Sequence, residues 1–218
     1  IIVNNSDFEL NNSHFKLSPL KGTFRGKPYY LTLNGSKIFS DNPIINGQGK
    51  FNGFNLDIIN DPNLQKLMPA DLAKQLKDIE FLNGSTDISL RAKNSNLNVY
   101  SVLNNISFLY KPANTKIVLK SGNILLQNSN LNLNKISAQI GQMPLFLEGK
   151  VYDVYKNPNL NLYTNVKLTQ DFFDQFFNTK SIYPVKVKGD AIVSSKISGL
   201  LNNINAKSTL DIKENSSL

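Results

Sequence analysis

The alternation of apolar and polar residues constrains this chain more than any other feature. The clearest case is the segment from Asn159 to Leu168. The residues of its apolar parity are Leu160, Leu162, Thr164, Val166 and Leu168. Successive side chains of a β-strand point to opposite faces, so this segment predicts a strand with one apolar and one wet side. Similar segments recur along most of the chain, which predicts a mainly β protein.

Turn signals separate these segments at intervals typical of antiparallel strands. Pro19 is expected to end one early strand, and Asn34-Gly35 is expected to turn the chain after another. A change of parity before Ile136 predicts a local irregularity there. The expected architecture is an elongated, curved, largely antiparallel sheet.

Two segments break the alternation and predict short helices. Pro69–Asp78 contains strong helix formers, with Leu72 and Leu76 four residues apart. Gln170–Phe177 follows a possible cap at Thr169. Its four phenylalanines predict packing against the apolar face of the sheet.

The chain resembles itself at an offset of about 115 residues. In each copy an apolar strand that closes on Gly is followed by an Asn-Pro turn, another strand and a helical segment. Two modules, 1–115 and 116–218, are therefore predicted to stack into one continuous sheet, since repeats that stack end to end build extended surfaces.

Composition argues against several functions. The sequence has 24 Lys+Arg against 16 Asp+Glu, but its only arginines are Arg25 and Arg91, and base readout favours arginine. We therefore expect no nucleic-acid partner. A weaker hypothesis is a polyanion site on the lysines of the second module, which are Lys186, Lys188, Lys196 and Lys207.

Chemical motifs are missing. There is no cysteine, and His14 is the only histidine, so we expect no zinc site, no other metal or cofactor and no catalytic residues. We interpret the protein as a non-enzyme. The chain begins at Ile1 without a signal sequence, and no apolar run approaches the ~18 residues of a spanning helix. We expect it to be a piece of a longer protein from which any signal or anchor has been removed.

Four segments resemble the AsmA-like family of Gram-negative envelope proteins (AsmA/TamB/YhdP type). Three of them lie together in Ile136–Gly141, Pro144–Gly149 and Asn157–Leu162. The fourth, Ile197–Ala206, is similar to the family's Ser-Gly-Pro-Leu hairpin, with Leu200 where proline is usual. The resemblance extends to most of the chain through the repeat.

The resemblance implies that the sheet forms an open β-groove, and it also implies a location and a function. Members are thought to be anchored at the inner membrane and to span the periplasm as β-grooves that carry phospholipid to the outer membrane. The implied partner is a phospholipid or another acyl-chain lipid, and the implied location is the periplasm. An alternative within the family is a scaffold for outer-membrane protein assembly, whose exposed strand edges pair with client strands.

The residues that would line such a groove come from the apolar parity of the second module. They are Leu160, Leu162, Val166, Leu168, Val185, Val187, Ala191, Val193, Leu210 and Ile212. The same residues could equally fill the core of a closed sandwich or barrel. A lipid groove requires an open sheet, so the structure of the sheet distinguishes between the two interpretations.

Overall fold

The computed structural model describes residues 2–4, 6–61, 66, 76–170, 174, 186 and 191–212. These residues form one antiparallel sheet of 13 strands. The strands are β1 (Ile2–Val3), β2 (Phe8–Asn11), β3 (His14–Phe24), β4 (Lys27–Ser36), β5 (Ile44–Asn55), β6 (Ile79–Lys93), β7 (Asn96–Tyr110), β8 (Thr115–Gln127), β9 (Asn130–Ile140), β10 (Met143–Tyr152), β11 (Asn159–Leu168), β12 (Ala191–Leu200) and β13 (Asn203–Ile212).

The sheet is an open meander. From β3 to β13 each strand pairs with the next in sequence, while β1 and β2 both pair with β3 along its other edge. Across the described residues, β13 does not pair with β1 or β2, so the sheet does not close into a barrel. The expected mainly β, open antiparallel sheet is confirmed.

Within the described residues, two helices have defined bounds, and both are short 3₁₀ helices. Leu56–Asn60 follows β5 and is capped by Asn55, whose side chain accepts a hydrogen bond from the Asp57 amide. Lys111–Ala113 connects β7 to β8. The predicted helices Pro69–Asp78 and Gln170–Phe177 fall mostly outside the described residues. Gln170 and Asp174 are both helical, and the Gln170 amide donates to the Asp174 carboxylate at 2.7 Å.

Two expected strand ends are wrong. Gly35 lies inside β4, where the ring of Phe15 on β3 covers it, so it marks close packing and not a turn. Pro19 lies inside β3, between Leu17 and Leu20, where the register with β4 shifts. Proline has no amide hydrogen to donate, and a bulge is one of the few places where a strand tolerates it.

A line of bulges crosses the middle of the sheet from β6 to β10. Positive φ angles mark it in adjacent strands, at Gly84 (111°), Asn105 (50°), Gly122 (130°), Lys135 (47°) and Gly149 (135°). Register shifts accompany it in the β6–β7, β8–β9 and β9–β10 pairs. A bulge bends its strand and increases the local twist, so a row of bulges bends the sheet along one line. The change of parity expected before Ile136 is the bulge at Lys135.

Backbone features recur along the chain at an offset of 116, as between Asn12 and Asn128, which share a φ of 48°. Adding 116 to the first and last residue numbers of β3 and β4 gives those of β9 and β10. The hydrogen bond from Ile38 N to Ser13 O likewise has an equivalent 116 residues later, from Val154 N to Ser129 O. The division at 115/116 falls where β8 begins, and the β7–β8 pairing continues the sheet across it. As separate domains, 1–115 and 116–218 stay a prediction.

Candidate functional site

One face of the sheet is apolar throughout, as tracing the register shows. Residues directly opposite each other in antiparallel strands share a face. Val166 of β11 lies opposite Leu145 of β10 and Val193 of β12, and Val193 lies opposite Leu210 of β13. Followed through every pair, this relation joins the apolar sets of all the strands on one side. We call that side the apolar face.

The apolar face is almost free of charge. Its residues are aliphatic or aromatic side chains, glycines and a few hydroxyl residues. The paired registers place one charged residue on it, Lys27 opposite Phe24 at the β3–β4 turn. The other charged side chains of the paired strands, such as Lys50, Arg91 and Lys150, belong to the opposite side, which we call the wet face.

Few residues of the apolar face are buried. The buried hydrophobic residues among those described are Leu82, Leu103, Ile106, Ile136, Ala138 and Ala191. All but Ala191 form one cluster along the bulge line, with Leu56 and Ile59 of the first 3₁₀ helix packed against it. The strands on either side carry the same apolar pattern, but apart from Ala191 and three glycines their residues on this face stay half-buried or exposed. The face is therefore covered in the middle of the sheet and accessible towards its edges.

The eight described residues of the predicted groove lining all lie on the apolar face. Leu160, Leu162, Val166 and Leu168 project from β11, Ala191 and Val193 from β12, and Leu210 and Ile212 from β13. Ala191 is only 1% exposed, so it contributes packing and not accessible surface. Val185 and Val187 lie outside the described residues.

Residues of the first module were missed as lining, although they share the face. Phe24, Tyr29, Phe51 and Phe54 form a chain of ring contacts with centroids 5.8 to 6.3 Å apart. Their signal was present in the sequence as the same alternation, with Tyr29, Leu31 and Leu33 in one parity. The alternation in the first module is interrupted by Gly47, Gly49 and Gly53, so the lining is easier to recognise in the second module.

The wet face carries the charge and a shallow depression of about 530 Å³ beside Gly149. Its lining mixes both signs of charge, with Glu148, Lys150 and Lys196, and adds three asparagine amides. Lys196 lies directly opposite Lys207. Lys188 is outside the described residues, so a single patch of the four lysines proposed for a polyanion stays a prediction.

The part of the chain that the structure describes contains no group of three or more metal-ligating side chains. Nor does it contain a helix long and apolar enough to cross a membrane.

Comparisons with known proteins do not assign this chain to a family. No protein-family model, no curated protein and no solved structure matches this chain. The resemblance to the AsmA-like family therefore rests on the four sequence segments alone.

Proposed function

We propose that the protein shields lipid acyl chains against its apolar face, as a segment of a periplasm-spanning, AsmA-like protein that transports phospholipid between the inner and outer membranes. The observation that supports this most is the near absence of charge from one side of an open 13-stranded sheet. An apolar surface of this extent normally needs a cover, and acyl chains provide one of matching chemistry.

The half-buried strands β11 and β12 supply one accessible part of this surface. Val166 and Val193 lie opposite each other there, with Asn165 and Ser194 on the other side of the same strands. The Ser194 hydroxyl donates to the Asn165 side-chain oxygen at 2.7 Å, which keeps the polar groups paired on the wet face. A lipid bound to these strands would hold its chains over Val166 and Val193 and leave its polar head at the margin of the sheet.

Photocrosslinking from neighbouring positions tests the proposal. A benzophenone side chain replaces Val166 in one variant and Asn165 in another, and each protein is mixed with vesicles of phosphatidylethanolamine and phosphatidylglycerol. The two positions are adjacent, equally half-buried and on opposite faces. We expect lipid adducts from position 166 and few from 165, read by mass spectrometry. Equal yields, or none from position 166, would exclude this face as the lipid site.

The alternative, a scaffold for outer-membrane protein assembly, also has a supporting observation. All ten residues of β13 are exposed, and β13 pairs with β12 alone within the described chain. An unpaired edge of this length can accept an added strand. Crosslinks from β13 to unfolded outer-membrane protein, without lipid adducts from Val166, would favour the scaffold.

A further inference from the structure

The two outer edges of the sheet are copies of the two strands that meet in its interior. β1 and β2 together correspond to β8. Phe8 lies opposite Leu17 as Ile124 lies opposite Leu133, and Val3 lies opposite Gly22 as Leu119 lies opposite Ala138. Both comparisons use the 116-residue offset. Asn4 and Asp7 continue the contact with β3 between the two short strands, through hydrogen bonds to Lys21 and Ser18.

The opposite edge, β13, corresponds to β7. The β6–β7 hairpin closes on the pair Lys93 and Asn96, and the β12–β13 hairpin closes on Leu200 and Asn203. Each hairpin has a two-residue turn, so residues of β7 and β13 correspond at an offset of 107. By this offset Ser101 corresponds to Ser208 and Leu103 to Leu210, and all four lie on the apolar face.

Inside the chain, β7 pairs with β8 and joins the first module to the second. We propose that β13 of one copy of this protein pairs with β1 and β2 of a second copy and repeats that junction head to tail. The register follows from the β7–β8 pairs. Ser101 opposite Ile124 becomes Ser208 opposite Phe8, and Val99 opposite Leu126 becomes Ala206 opposite Leu10.

Charge complementarity supports this register independently. Tyr100 and Leu125 lie opposite each other on the wet face of the internal junction. The equivalent residues at the proposed junction are Lys207 and Glu9. Within its own copy Lys207 lies opposite another cation, Lys196. Within the described residues, no ion pair engages Glu9 or Lys207. The junction therefore gives Lys207 an opposite charge, which cross-strand pairs prefer.

The apolar face fits as well. Phe8 and Leu10 are 63% and 57% exposed in the isolated chain. In the proposed register they lie beside the small side chains of Ser208 and Ala206. The contact uses two different edges, so it is heterologous and leaves a free edge at each end of the assembly. At ~4.8 Å per strand, each added copy would lengthen the apolar face by roughly 60 Å.

Disulfide trapping tests the register directly, because the chain contains no native cysteine. The Phe8→Cys and Ser208→Cys variants are mixed under mild oxidation. We expect a crosslinked dimer, since directly opposite residues lie within disulfide reach. In the matched control, the Ile204→Cys variant takes the place of Ser208→Cys. Ile204 is on the same face but four residues out of register, so this mixture should give little dimer.

Three outcomes would overturn the proposal: absence of the Phe8–Ser208 crosslink, preferential linkage of Ser208→Cys chains to each other, or equal crosslinking in the control. In a single chain carrying both cysteines, a link within the monomer in preference to one between copies would show the sheet closing on itself. That result would also contradict the proposal.

Charge reversal provides a second test by analytical ultracentrifugation. Glu9→Lys or Lys207→Glu alone should weaken self-association about tenfold, because each places like charges opposite one another. The double variant restores an opposite pair and should regain most of the lost affinity. A protein that stays monomeric at high concentration, or a double variant no better than the singles, would contradict the junction. Circular dichroism checks that each variant is folded.

Discussion

The centre of the sheet and its last three strands carry the same alternating pattern but differ in burial. Strands β6 to β10 contain the bulge line and five of the buried hydrophobic residues. The β11–β12 and β12–β13 pairs run for ten residues each without a register shift. There the apolar side chains remain half-buried in β11 and β12 and exposed in β13, apart from Ala191. Alternation therefore decides which face is apolar. The part of that face that is buried as a core is the part that contains the bulges and the 3₁₀ helix packed beside them.

The largest expected effect comes from placing a carboxylate in each region. Ile136 is 3% exposed in the central cluster, so Ile136→Asp buries an unpaired charge and should cost more than about 4 kcal/mol of unfolding free energy. Val193 lies on the accessible part of the same face, and Val193→Asp should cost only about 1 kcal/mol, since its carboxylate reaches water. Urea denaturation measures both, and similar losses would show that β12 also belongs to a closed core.

A smaller effect should follow from replacing a glycine in the bulge line. Gly149 has a φ of +135°, and an added Cβ would meet the Leu162 Cα at 2.8 Å and the Asn161 carbonyl oxygen. We expect Gly149→Ala to cost about 2 kcal/mol. Gly49 is a matched control on the same face, at a position of β5 without a positive φ, where the nearest atom is the flexible Leu31 Cδ1 at 3.2 Å. Gly49→Ala should change stability by less than about 1 kcal/mol in thermal unfolding. If both cost the same, the bulges would not be what distinguishes the centre.

The smallest expected effect concerns the wet face of the bulge-free strands. Lys196 lies opposite Lys207, so Lys196→Glu converts a like-charge pair into an attractive one. We expect a gain of about 0.5 kcal/mol at low salt that disappears near 1 M salt. Lys150→Glu is the control, because Lys150 lies opposite Asn132 and Asn161 and has no lysine to pair with. A gain that persists at high salt would point to packing instead of charge.

The sequence predicts the faces well and the local geometry less well. Leu160, Leu162 and Val166 were placed on one side by parity alone, and the register puts them there. The parity change before Ile136 also appeared in the sequence, because a bulge displaces every later side chain by one position. The expected turn at Gly35 is wrong because glycine suits both a turn and a close contact, and its partner Phe15 lies 20 positions earlier in the chain. Burial could not be read from the pattern, since it depends on which bulges align in neighbouring strands.

The meander order also bears on how the chain acquires its structure. From β3 onwards every strand pairs with its immediate successor, so the sheet needs no crossover between strands distant in the chain. All-β proteins usually fold slowly because their pairings are distant along the chain, and this arrangement avoids much of that loop-closure cost. Each new hairpin can add to a sheet edge that already exists. Such a chain can assemble progressively from its first strands while later segments are still emerging from a ribosome or a translocation pore.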